Sequence, residues 1–264
     1  MAFSRSRKQL LQWLLFSCLL LPAITSPAEQ IQIGREIRYL EDPNHILDLD
    51  SARTASGWKQ NNTDVFNPGY SSSTWWVNFN FQSRDPDNYI LQIAYAVLDH
   101  LDIYVIHANG DIGEYRMGDK LPFASRPLKH RLFSVPFSAL DNRPVEIFVK
   151  VRPTSSIQLP VTISKARDFR ESNTSGNVIH GVYLGGMLCI AIYNLLIFIM
   201  LRDKIYLFYV AYVTANCTFL ACLNGWGFQF LWPTAIWWND QAILICLNSV
   251  VFWGHVYQAF SLFE

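Results

Sequence analysis

An all-β domain of the jelly-roll or β-sandwich kind, followed by α-helical transmembrane segments, is the fold class this sequence predicts. Three observations predict it. Residues 29–171 contain a series of short segments with alternating apolar and polar positions, separated by Pro, Gly and Asn. From Val178 the chain changes to long runs without Asp, Glu, Lys or Arg. The cysteines respect the same division: Cys18 lies near the N-terminus, and Cys189, Cys217, Cys222 and Cys246 lie in the apolar runs. The β-rich part therefore has no disulfide to lean on and must be held by its own core, for which its length suffices.

The N-terminus reads as an export signal over residues 1–28. Arg5, Arg7 and Lys8 precede an apolar stretch from Leu10 to Leu21, and the small residues Ser26 and Ala28 suit cleavage before Glu29. An uncleaved anchor is the alternative, but an apolar core of about 12 residues falls short of the ~20 that a span needs. A lipoprotein through Cys18 fits less well, because Phe16 departs from that consensus.

Strands are expected next. Residues 73–81 (STWWVNFNF) place Trp75, Val77, Phe79 and Phe81 on one face and Trp76, Asn78 and Asn80 on the other. Trp75 is thus expected in the core and Trp76 at the surface. Residues 89–95, 101–107, 112–117, 131–136, 145–152 and 159–164 repeat the pattern, and Asn109-Gly110 is a hairpin signal. Earlier strands are expected around 37–40 and 45–49. The segment 172–177 (SNTSGN) reads as a linker into the membrane.

Residues 178–201, 205–223 and 242–263 are the three predicted transmembrane helices. The turn at 202–204 (RDK) carries positive charge and is expected in the cytoplasm. The loop at 224–241 carries Asp240 and no Lys or Arg, and is expected outside with the β domain. Its Trp226, Trp232, Trp237 and Trp238 read as a membrane-interface belt, since an indole joins an apolar face to one N–H donor; a ligand platform beneath the β domain is the sharper alternative. Gly181 and Gly185 form a small-xxx-small pair suited to helix packing. Asn194, with Asn248, is expected to find hydrogen bonds between helices.

Several segments in order resemble a known family. They are YLEDPNHILDL from Tyr39, NPGYSSSTWWVNF from Asn67, LDHLDIYV from Leu98, GDKLPFASRPLKHRLFSVPF from Gly118 and SIQLPVTI from Ser156. Together they resemble the second extracellular domain type of the bacterial seven-transmembrane receptors with diverse intracellular signalling modules (7TMR-DISM). YNLLIFIMLRDKIYLFYVAYV from Tyr193 and LNGWGFQFLWP from Leu223 look like the first helices of that family. Members normally continue through seven helices into a kinase, cyclase or phosphatase-type output, whereas this sequence stops at Glu264, so it reads as a receptor fragment or one acting through another protein.

The resemblance implies a carbohydrate-binding-like jelly roll in the periplasm of an inner-membrane protein, sensing an extracellular small molecule or glycan. Such binding uses aromatic faces and a few polar groups. Tyr70, Trp75, Trp76, Asp99, His100, Arg126, His130 and Arg131 are the candidate ligand-binding residues. Arg126, Lys129, His130 and Arg131 form a basic cluster that suits an anionic ligand or headgroup, or simply a solvated loop. Expected partners are the lipid bilayer and either a second copy or an output-domain protein such as a kinase or cyclase. A non-signalling, membrane-tethered binding module is the competing reading.

Other classes find little in the sequence. With 21 basic and 21 acidic residues there is no footprint for nucleic acid. No metal spacing is evident: Asp48 and Asp50, or Asp99 and Asp102, lack the density of a calcium loop. GxSxG, HExxH and phosphate-binding glycine motifs are absent, so neither a cofactor nor catalysis is expected.

Overall fold

The computed structural model describes residues 30–140, 142–153 and 156–262. The expected export signal, residues 1–28, lies outside them. Alternation in the sequence becomes two antiparallel sheets. One sheet has the order β3 (Lys59–Gln60), β2 (Arg38–Asp42), β5 (Thr74–Phe81), β10 (Val145–Arg152), β7 (His100–Ile106) and β8 (Ile112–Met117). The other has β1 (Ile31–Gln32), β12 (Val161–Lys165), β6 (Asp87–Ile93) and β9 (Phe133–Ala139). A small pair, β4 (Phe66–Tyr70) with β11 (Ser156–Leu159), stands at the side. The chain crosses between the sheets at β5–β6, β6–β7, β8–β9 and β9–β10, the wrapping expected of a jelly roll.

The inward positions fill the space between the sheets. Trp75, Val77, Phe79 and Phe81 of β5 meet Leu91 and Ile93 of β6, Phe133, Val135 and Phe137 of β9, and Ile147 and Val149 of β10. Each such side chain contributes about 1.5–3 kcal/mol on full burial. A sandwich of this size is therefore held without disulfides, and Asn109-Gly110 makes the β7–β8 turn as expected, with Gly110 at φ +91°.

Two local expectations fail. Residues 45–49 form a loop followed by helix α1 (Leu49–Thr54) in place of a strand. The Asp42 carboxylate accepts the backbone N–H groups of Ile46 and Leu47, and Asp48 caps α1 by accepting from Ser51, so short polar side chains take the backbone bonds a strand would need. This segment then folds over the outer face of β5. Trp76 is 0% exposed there, packed with Ala52, Ile106 and Phe148 and flanked by Leu47, Leu49, Trp58 and Tyr104. It belongs to a second core, not to the surface.

Among the described residues, three helices are long and apolar enough to cross a membrane: α2 (Ala166–Leu201), α3 (Lys204–Leu223) and α4 (Ile236–Leu262). The expected linker at 172–177 is helical. β12 ends at Lys165 and α2 begins at Ala166, so strand passes into helix with nothing between them. Thr174 satisfies its hydroxyl on the carbonyl of Arg170, and Arg167 pairs with Glu171 one turn on, although Ser, Asn and Gly are weak helix formers. The RDK turn forms as expected. Arg202 takes a left-handed conformation at φ +59°, and Asp203 caps α3 by accepting from Ile205.

α3 and α4 pack through Phe208 against Phe260 and Trp253, and through Tyr209 against Tyr257. α4 begins at Ile236 rather than at 242, which puts Trp237 and Trp238 in its first turn. Asn194 and Asn248 each donate one side-chain N–H to a carbonyl of their own helix, Ile190 and Leu244. Gly181 and Gly185 face open space, with nothing described within reach of an added methyl.

Candidate functional site

The basic segment and the tryptophan loop, separate in sequence, meet at one joint. α3 ends at Leu223, and Gly225 follows in the left-handed region at φ +76°, a common way to stop a helix. The same residue touches the sandwich: a methyl there would lie 2.7 Å from the Arg131 carbonyl oxygen and 3.1 Å from Ala96. One turn of π-helix, Gly227–Leu231, then carries Phe228 back into the β domain.

Among the described residues, three hydrogen bonds close the joint. The Phe123 N–H donates to the Pro233 carbonyl at 3.1 Å, Arg131 Nη1 to the Asn224 carbonyl at 3.2 Å, and Gln229 Nε2 to the Lys129 carbonyl at 3.3 Å. Arg126 lies behind them and is only 5% exposed. Its guanidinium donates to the carbonyls of His130 and Arg131 and lies over the rings of Phe133 at 4.3 Å, Phe123 at 4.8 Å and Phe228 at 5.6 Å. Aromatic faces and carbonyl oxygens are what a buried cation needs. Burial brings the Arg126 pKa down to about 10, so it remains charged at neutral pH.

Arg131 lies 5.6 Å over Trp226, which stacks on Phe230 and meets His180 of α2 edge-on. His130 packs edge-on to Phe169, also of α2. Burial first, then the charge of Arg131, pushes the His130 pKa down to about 4 and keeps the ring neutral. Within the described residues, Arg126 Nε, Arg131 Nε and Trp226 Nε1 are buried without a hydrogen-bond partner. Each such atom costs about 1–3 kcal/mol. The joint is therefore closed by its hydrogen bonds and ring contacts against a polar penalty.

A second feature lies on the outer face of the larger sheet. The register aligns Trp76, Lys150, Asp102 and Arg116 across β5, β10, β7 and β8, and Arg152 lies opposite His100 in the next row. Lys150, Asp102, Arg116, Arg152 and His100, with Tyr104 and Leu121, line an open depression of about 430 Å³. Lys150 Nζ donates to the Leu47 carbonyl at 2.9 Å and sits 4.9 Å over the ring of Trp76, which in turn stacks on Tyr104.

The candidate residues thus scatter. His100 lines the depression. Trp76 is buried beside it, where no ligand reaches, and Trp75 lies in the main core with its indole N–H on Ser71. Asp99 is 5% exposed, with Lys120 Nζ at 3.8 Å. Tyr70 is 81% exposed on the small β4–β11 pair and does not line the depression. Arg126, His130 and Arg131 come together, but inside the joint rather than in a solvated loop. Of the tryptophans, Trp226 belongs to the joint, Trp232 bonds Asn239 and meets Trp238 edge-on, and Trp237 is 73% exposed. Asp102, Tyr104, Arg116, Lys150 and Arg152 were not singled out as ligand contacts by sequence, although each stands at an outward position of its strand. No group of three His, Cys, Asp or Glu residues suited to a metal occurs among the described residues.

Comparison with known proteins follows the same division. The family model 7TMR-DISM extracellular 2 matches residues 34–165, and the model 7TM diverse intracellular signalling matches residues 176–260. No curated protein matches the chain. Among solved structures, a β-glucosidase from Kluyveromyces marxianus in complex with glucose is similar at 11% identity, over 55% of this chain and 18% of that one, with a TM-score of 0.31. That likeness is too slight to carry fold or function.

Proposed function

Because the chain belongs to the 7TMR-DISM receptors, membrane proteins with an extracellular β domain, we propose that it is a signal-transduction receptor of the bacterial inner membrane. Its sandwich binds an extracellular small molecule or glycan, and the joint relays that event to the helices. The observation that carries the reading is the docking of the 224–233 loop around Arg126 and Arg131, which ties the ends of α3 and α4 to the β domain. α2 makes the second connection, through Phe169 against His130. A ligand relays a signal only by binding two arrangements unequally, and coupling energies are typically 1–3 kcal/mol. The unsatisfied atoms at the joint, each costing about 1–3 kcal/mol, count against the docked loop and favour a competing arrangement in which they are solvated. The role is binding, with no catalytic step.

Hydrogen exchange on the chain in lipid nanodiscs, with and without a panel of neutral and acidic oligosaccharides, tests the relay. A bound sugar that changes exchange at 121–133 and 224–235 supports it. Binding that leaves both segments unchanged refutes it and leaves a tethered binding module.

A further inference from the structure

The depression on the outer sheet face is a built site whose lining specifies its ligand more narrowly than the fold does. Lys150, Arg116 and Arg152 bring three cations around the single carboxylate of Asp102, with His100 beside them. Arg116 is partly engaged, since its Nε donates to Glu114 at 2.6 Å. Arg152 is exposed and makes no ion pair among the described residues. Lys150 is fixed by the Leu47 carbonyl and the Trp76 ring, which leaves two of its N–H donors for a ligand.

The support beneath this lining is rigid. Trp76 is fully buried and stacked with Tyr104, and the 43–58 segment is held over it by the Asp42 and Asp48 carboxylates. A site resting on packed strands keeps its donors in place without a ligand. Burial, and after it the Arg152 charge, lowers the Lys150 pKa; an anion seated between the two would relieve that repulsion. The volume lies within the range of small-molecule pockets, the Tyr104 and Leu121 side chains give it an apolar wall, and Asp102 can accept from hydroxyl groups.

We propose that this depression binds a small polyhydroxylated carboxylate, with the carboxylate between Lys150 and Arg152 and hydroxyl groups directed to Asp102 and His100. The assignment rests on the receptor reading above and names its ligand chemistry. A sugar acid and an aliphatic hydroxy acid share that chemistry, so the test uses both.

Calorimetric titration of the full chain in nanodiscs with galacturonate, tartrate and galactose separates the outcomes. Galacturonate or tartrate should bind at least tenfold more tightly than galactose, and the affinity should fall several-fold between low and high salt. Galacturonate alone identifies a sugar acid; tartrate alone identifies a hydroxy acid. Arg152→Gln, at an exposed side chain the fold does not use, should weaken the bound acid at least tenfold, with Lys150→Met as a second variant. Galactose binding as tightly as galacturonate would overturn the anionic assignment while leaving the receptor reading intact. No binding by either acid, or binding indifferent to Arg152→Gln, would overturn the site. The exchange experiment at the joint decides the relay separately.

Discussion

Replacing Gly225 by alanine should unseat the loop from the sandwich while leaving the sandwich folded. The backbone at φ +76° costs an L-residue about 1–2 kcal/mol. The added methyl also meets the Arg131 carbonyl oxygen at 2.7 Å, a backbone atom that cannot swing aside. Together these destabilise the docked arrangement by about 2 kcal/mol or more, a shift of roughly thirtyfold in its population at 1.4 kcal/mol per factor of ten. The Phe123 amide reports this directly, because its hydrogen bond to Pro233 exists only while the loop is docked. Hydrogen exchange of the variant in nanodiscs should be about thirtyfold faster at Phe123 and unchanged at Val77 and Val149, in the centre of β5 and β10. Gly181→Ala, where the methyl meets open space, is the matched control. Unchanged exchange at Phe123 would refute the docking argument; equal acceleration across the sandwich would show that the joint is not a separate cooperative unit.

Two further predictions follow from buried groups. Trp76→Ala should cost about 3–5 kcal/mol by emptying the second core, lowering the melting temperature by roughly 10 °C or more; an unaltered melt with weakened ligand binding would return Trp76 to the surface. His130 should make stability depend on pH: above about 6.5 the ring is neutral whether folded or not and contributes nothing, but as pH falls towards 4 the unfolded chain takes up a proton that the folded chain refuses. The loss reaches about 3 kcal/mol and levels off below pH 4. Melts of the wild type and His130→Asn between pH 7 and 4 check it, since the variant should lack that component; parallel curves would place the titration elsewhere.

What the sequence disclosed depended on the range of the forces involved. The strands at 112–117 and 145–152 were legible to the residue, because alternation against a single core is a local pattern. The region 45–49 misled because Asp42 and Asp48 divert the backbone by side-chain hydrogen bonds that period-two reading ignores. Trp76 sat among asparagines and read as exposed; the loop that covers it comes from a different part of the chain. Arg131 finds its carbonyl partner at Asn224, far along the sequence. No local signal announces that contact. The depression was half visible: His100 drew notice, whereas Lys150, Arg152 and Arg116 converge only through the strand order β10, β7, β8.

The direct passage from β12 into α2 gives the molecule a lever. A helix of 36 residues is about 54 Å long, and here its near end is the last strand of the sandwich itself. A tilt of the sandwich by about 5° would carry the far end of such a rod about 5 Å sideways, close to one helical turn. A flexible tether would absorb a displacement of that kind. On the proposed relay, an unbroken junction would instead pass it on, turning a small adjustment on the outer side into a change of helix neighbours on the inner side.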